Sequence, residues 1–187
     1  MDWGIARAGS MSEGVVLVVP ADSDVTEYPG CDLVVTGGLT RSESVRAGLA
    51  QVPGDVDYVL VHDVARPLAS KAVFERVIEA LAGDCDGAVP GIAVSDTLKR
   101  SIAHESGFLS VSTTLDREGV YAIQTPQGFK AAVLRAAHGT GKDATDDAHL
   151  VELAGGHVVI VPGDPRNIKV TTPSDIAICE SLLEREV

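Results

Sequence analysis

The chain is poor in aromatic residues, in cysteine and in positive charge, and it has no long apolar run. Only 4% of its 187 residues are Phe, Tyr or Trp, although 45% are hydrophobic. A core must therefore be built from Val, Ile, Leu and Ala, and the length suits one α/β domain rather than two. The three cysteines, Cys31, Cys85 and Cys179, are odd in number, widely spaced and without a CxxC pair. They read as buried thiols in a reducing cytoplasm, not as a disulfide framework or a redox site. His62, His104, His138, His149 and His157 show no metal-ligand spacing, so no zinc site is expected. Fifteen Lys and Arg stand against 27 Asp and Glu, a formal net charge of -12. That balance argues against nucleic acid or a membrane surface as partner, yet a locally basic pocket can still take an anionic small molecule. No apolar run approaches the ~20 residues that span a bilayer. The opening "MDWGIARAGS" lacks the apolar stretch of a signal peptide. A soluble, cytoplasmic protein is expected. "GTGKD" (139–143) is no phosphate loop, because Lys142 is followed by Asp143 and lacks the long glycine-rich lead.

What is abundant is valine in short runs: "GVVLVVP" (14–20), "DLVVTG" (32–37), "YVLVHD" (58–63), "GAVPGIAV" (87–94) and "GHVVIVPG" (156–163). Runs of this length without alternation suit strands buried on both faces, hence a mostly parallel sheet covered by helices. Helical patterns lie between them. In "KAVFERVIEALAG", Phe74, Val77, Ile78 and Leu81 recur at helical spacing and Gly83 is a stop. "SESVRAGLAQV" is a weaker helix after the turn "TGG". Thr172, Pro173 and Asp175 form the start of a last helix. This alternation predicts a single, doubly wound α/β domain over 1–187. The polar, Thr- and Ser-rich stretch at about 95–125 breaks the rhythm and reads as a protruding β-arm, either a lid or a dimerisation element.

Candidate chemistry gathers at strand ends, where open α/β sheets bind ligands. Asp63 and Arg66 follow the strand 58–62 directly. An Asp there can hold a hard cation against phosphate, and an Arg offers a planar fork to phosphate oxygens. Equally, Asp63 can cap the following helix and pair with Arg66. Lys169, after the turn "GDP" and before a helix start, can meet a phosphate or stand as a solvated charge. Arg117 in "DREG" sits on the arm. The acids of "TDDAHL" (145–150) are explained by helix capping.

Together, "VVTGGLTRSESVRAGL", "VLVHDVARPL", "VSDTLKR", "YAIQTPQGF", "TDDAHLVELAGG" and "GDPRNIKVTTPSD" resemble, in order and spacing, the 2-C-methyl-D-erythritol 4-phosphate cytidylyltransferase family. The resemblance runs from about residue 14 to the C-terminus. It implies a Rossmann-like nucleotidyltransferase fold with a dimerisation arm. The implied reaction joins CTP and methylerythritol phosphate with Mg²⁺ and releases pyrophosphate, in isoprenoid precursor synthesis by the non-mevalonate pathway. By position, Asp63 matches the metal-binding aspartate and Arg66 the arginine that meets methylerythritol phosphate. Gly38, Ser44 and Val64 match the cytidine pocket. Lys169 and Arg117 match the pair that positions the substrate phosphate for attack, and Thr97 and Thr125 match threonines of the same subsite. In the family the arm interlocks two subunits, so a homodimer is implied, with Thr97 and Arg117 serving the neighbour's site.

One departure stands out. The family opens with a first strand and a glycine-rich loop of the type A-A-G-x-G-x-R, followed by P-K-Q, which wraps the triphosphate; residues 1–187 do not contain it. "MDWGIARAGSMSEGVVLVV" resembles instead the helix leading into the family's second strand. Transfer by these residues alone is therefore expected to be impaired. The alternatives are a shortened, non-catalytic nucleotide-binding or dimeric relative, or a cytidylyltransferase for another polyol phosphate such as ribitol phosphate.

Overall fold

The computed structural model describes residues 2–23, 28–104 and 107–183. Helix α1 (Asp2–Gly9) leads into strand β1 (Val16–Val19), which pairs in parallel with β2 (Leu33–Thr36). Ile5 of α1 packs on Leu17 and Val19, an aliphatic patch of the kind the composition predicts. Helix α2 (Arg41–Leu49) begins with a capping box: Glu43 N–H donates to Thr40 Oγ1 at 3.1 Å, and Thr40 N–H donates back to Glu43 Oε2 at 3.1 Å. The turn before it must be glycine. A Cβ on Gly38 would overlap Glu43 Cβ.

The larger sheet holds the middle of the molecule. Strand β3 (Tyr58–Val61) pairs antiparallel with β8 (Gln127–Lys130). β8 pairs antiparallel with the near end of β4 (Gly87–Ala93), and β7 (Tyr121–Ile123) pairs antiparallel with the far end. On its other side β4 pairs in parallel with β9 (Val158–Pro162). Successive residues of β4 point to opposite faces, and each face is covered. Ala88 belongs with Val77 and Leu81 of helix α3 (Lys71–Leu81). Val89 joins Phe129, Leu134 of α4 (Ala131–Gly139), and Leu150 and Val151 of α5 (Asp147–Leu153). Burial on both faces is why "GAVPG" carries no polar alternation.

The α/β, two-faced expectation holds, and the expected strands at 16–19, 33–36, 58–61, 87–93 and 158–162 are present. The sheet is mixed rather than mostly parallel. Among the described residues only β1–β2 and β4–β9 are parallel ladders; the chain returning from the arm inserts β8 antiparallel between β3 and β4. Strands β5 (Lys99–Ala103) and β6 (Leu109–Thr114) form a separate antiparallel hairpin with a register shift at Arg100/Ser101. Helix α6 (Pro173–Leu183) closes the described chain. Cys85 and Cys179 are buried free thiols, whereas Cys31 is only half-buried.

Candidate active site

β3 delivers His62 and Asp63 to the edge where β8 begins. Thr125, buried just before β8, ties both down. Asp63 N–H donates to Thr125 Oγ1 at 3.0 Å, and Thr125 Oγ1 lies 3.0 Å from His62 Nδ1. His62 Nε2 is 3.2 Å from the Arg66 carbonyl, which can only accept. Nε2 therefore carries the proton, Nδ1 accepts, and the Thr125 hydroxyl donates to it. Burial pushes His62 down to about 4, against the opposing pull of the Arg66 carbonyl and Asp63, so the ring is neutral at physiological pH. Its face leans on Phe74, with ring centroids 5.4 Å apart.

The Asp63 carboxylate, whose side chain is 18% exposed, lies between two cations. Lys169 Nζ is 2.9 Å from Oδ2, and Arg41 Nε is 3.9 Å from Oδ1. Lys169 reaches this point because the turn before it is bolted to the sheet. Val170 N–H donates to the Ala65 carbonyl at 2.7 Å. Asn167, fully buried, donates from Nδ2 to the Thr125 carbonyl at 2.8 Å, and Gln124 Nε2 donates to the Asp164 and Asn167 carbonyls at 2.9 and 3.2 Å. Arg66 faces the same turn. Its Nη1 donates to the Asn167 carbonyl at 2.8 Å and its Nη2 to the Ile123 carbonyl at 3.4 Å.

The residues singled out in the sequence thus fall into three groups. Asp63, Arg66, Thr125 and Lys169 are linked by the contacts above. Gly38 and Ser44 lie at the start of α2, where Gly38 N–H donates to Ser44 Oγ at 3.2 Å, and Val64 beside Asp63 is 40% exposed. Thr97 and Arg117 are exposed at the base of the arm, and among the described residues no ion pair or side-chain hydrogen bond links either to Asp63 or Lys169. Asp63 does not pair with Arg66: its carboxylate turns to Lys169, and the Arg66 guanidinium to backbone carbonyls.

Arg41, His138, Asp147 and Asn167 escaped the sequence reading. Of the doublet Asp146-Asp147, Asp146 caps α5 as expected, receiving the His149 N–H at 3.0 Å. Asp147 does something else. It is fully buried, with Arg41 Nη2 at 2.7 Å from one oxygen and His138 Nε2 at 2.9 Å from the other. Burial alone would raise its carboxyl, but His138 and Arg41 outweigh that and hold it below the ordinary value. Asn167 is a neutral amide inside a turn. Arg41 stands in "TGGLTRSES", where no local pattern sets it apart from a solvated helix-start charge.

Among the described residues no group of three or more His, Cys, Asp or Glu could hold a metal ion by protein ligands alone. A single carboxylate suffices where Mg²⁺ is held chiefly by substrate phosphates and water, so Asp63 fits that ion. A cleft of about 400 Å³ lies elsewhere, lined by Tyr121, Ile123, Asp146, His149 and Ile160 among others, and includes none of these four linked residues.

The comparisons with known proteins agree with one another. The family model described as IspD: 2-C-methyl-D-erythritol 4-phosphate cytidylyltransferase matches residues 5–185. A 2-C-methyl-D-erythritol 4-phosphate cytidylyltransferase of Nocardia farcinica is 43% identical over 187 residues, 97% of this chain and 79% of that protein. One of Rhodococcus jostii is 41% identical over 185 residues, again 97% of this chain and 79% of that protein. Among solved structures, the 2-C-methyl-D-erythritol 4-phosphate cytidylyltransferase of Thermus thermophilus matches with a TM-score of 0.86 at 34% identity, covering 98% of this chain and 88% of that one.

Proposed function

Because the chain belongs to the 2-C-methyl-D-erythritol 4-phosphate cytidylyltransferase family, we propose that it transfers a cytidylyl group from CTP to 2-C-methyl-D-erythritol 4-phosphate and releases pyrophosphate. The observation that carries this reading is the Asp63 carboxylate, fixed at the end of β3 with Lys169 at 2.9 Å. The relatives named above are all named for methylerythritol phosphate, which favours that substrate over ribitol phosphate. A substrate phosphate oxygen attacks the α-phosphorus of CTP, and the bond to the pyrophosphate oxygen breaks. Such a transfer needs alignment and charge neutralisation more than covalent help.

Each residue then has a task. Asp63 holds Mg²⁺, and the bound ion supplies charge neutralisation of the triphosphate. Lys169 leaves Asp63 for the substrate phosphate, and Arg66 adds positive charge beneath the same subsite. Thr125 acts through Asp63 and His62, keeping the carboxylate's backbone in place. Gly38, Ser44 and Val64 face the cytidine. Arg117 and Thr97 come from the arm of a second subunit, so the working form is a homodimer. The apolar residues of the hairpin support this: Ile102, Phe108, Leu109 and Val111 are 59–76% exposed, a surface that favours a partner.

The test is pyrophosphate release by the native protein with CTP, methylerythritol phosphate and Mg²⁺. Asp63→Asn keeps the shape and removes the charge, so the rate should fall by about a hundredfold or more while the fold survives. A normal rate with normal Mg²⁺ dependence in that variant would overturn the assignment.

A further inference from the structure

Behind Asp63 runs a line of polar side chains that the transfer itself does not touch. Arg41 opens α2, Asp147 opens α5 and His138 lies in the last turn of α4. Asp147 is 0% exposed and His138 3%, so neither meets solvent. Arg41 Nη2 makes an ion pair with Asp147 Oδ2 at 2.7 Å, and His138 Nε2 is hydrogen-bonded to Oδ1 at 2.9 Å. Arg41 cannot swing away without leaving a buried carboxylate short of a cation. Its Nε, on the same edge of the guanidinium, is thereby kept 3.9 Å from Asp63 Oδ1, while Lys169 stands 2.9 Å from Oδ2. The same region is tied to α2 at further points. Arg46 Nη1 donates to the Lys142 carbonyl at 3.3 Å, and Ala144 N–H donates to Ser42 Oγ at 3.4 Å.

We infer that Arg41 is a positioning residue, locked by the buried Asp147–His138 pair, which draws one oxygen of Asp63 away from Lys169 and so keeps that carboxylate open for CTP with its metal. The inference rests on the cytidylyl-transfer reading of the site. Without a fixed cation on the Oδ1 side, Asp63 closes wholly on Lys169, and both groups are lost to the incoming triphosphate. Arg41 also carries the position of the 37–44 turn, so the lock sets the spacing between the cytidine side and the metal side.

Two measurements test this. The first is calorimetric titration of CTP with Mg²⁺ into the native protein. Arg41→Met and Asp147→Asn should each weaken binding by about tenfold. Arg41→Lys should restore part of the loss, and the double variant should bind no worse than Arg41→Met alone, because Asp147 acts only through Arg41. Melting temperature separates this from a structural role: in the Arg41→Met background, Asp147→Asn should raise it by removing the unpaired buried charge. Lowered melting with unchanged CTP affinity in both single variants would overturn the inference. The second measurement needs no ligand. Crystal structures of the wild type and Asp147→Asn should show the Arg41 guanidinium beside Asp63 in the first and withdrawn in the second, with both Asp63 oxygens turned to Lys169. If the wild type binds no CTP, the functional reading falls and the crystal comparison alone decides. Arg41 still 3.9 Å from Asp63 in Asp147→Asn would then contradict the inference.

Discussion

β4 and the arm hairpin are both made of short extended segments, yet in β4 Gly87–Gly91 are all buried while every residue of β5 is exposed. β4 has a strand on each side and a helix layer on each face; among the described residues the hairpin has only its own two strands, which is a marginal structure in water. The same division separates the two cations assigned to the substrate phosphate. Lys169 is held against Asp63 at 2.9 Å, whereas Arg117 stands exposed on the turn after β6. In the proposed two-subunit site, Asp63 and Lys169 of the body form one half and Arg117 of the arm belongs to the other.

The largest effects should come from cutting either half. Lys169→Ala and Arg117→Ala in the native protein should each lower the rate of pyrophosphate release by about 10²–10³, the usual loss for one preset charge-stabilising group. Urea unfolding should be little changed in both, since Lys169 is 46% exposed in its side chain and Arg117 is exposed. An Arg117→Ala enzyme with normal rate would make the arm irrelevant to chemistry.

A smaller effect distinguishes the body. His62 is held neutral with its pKa lowered from 6.5 to about 4. In the unfolded chain the ring takes a proton below 6.5, and in the folded chain only near 4. Its stabilisation is thus complete above 6.5 and lost as the pH falls from 6.5 through about 4. The shift corresponds to at most about 3 kcal/mol. Urea denaturation across that window should show the slope, and His62→Gln should flatten it; an unchanged slope would mean the ring is not responsible. Smaller again is the turn that carries Lys169. Asn167→Ala removes the Nδ2 bond to the Thr125 carbonyl and should cost about 2 kcal/mol in urea denaturation. It should also slow transfer by loosening Lys169, with little change in CTP affinity. No loss of stability would show that the amide lock is not what fixes the turn.

The body was also the more legible half. The continuous run of β4 and the 3.6-residue period of α3 depend on local burial, and both are where the pattern predicts. Asp63 was singled out by its place at a strand end, whereas Lys169, after the turn "GDP", could equally stand as a solvated charge, and its contact with Asp63 appears only in the fold. β8 was not legible. "QGFK" is not among the Val-rich runs, and a Cβ on Gly128 would sit 2.5 Å from Val77 Cγ1, so the glycine is there to let α3 down onto the strand. Asp146 and Asp147 give the same local signal, and only Arg41 and His138, brought in by the fold, separate the cap from the buried anion. Asn167 is silent in the sequence because its partners, Gln124 and Thr125, lie on another element. What pairs at long range cannot be read from a local pattern.

The division between body and arm is tested most directly by mixing. Native protein carrying Arg117→Ala and native protein carrying Lys169→Ala, each nearly inactive alone, are combined and allowed to exchange subunits, with exchange confirmed by mass. If the arm serves the neighbour, each mixed dimer holds one site lacking both cations and one lacking neither. Half of randomly exchanged dimers are mixed, so pyrophosphate release should return to about a quarter of the wild-type rate. If both cations belong to one chain's site, every site in the mixture lacks one of them. No recovery after confirmed exchange would contradict the two-subunit site.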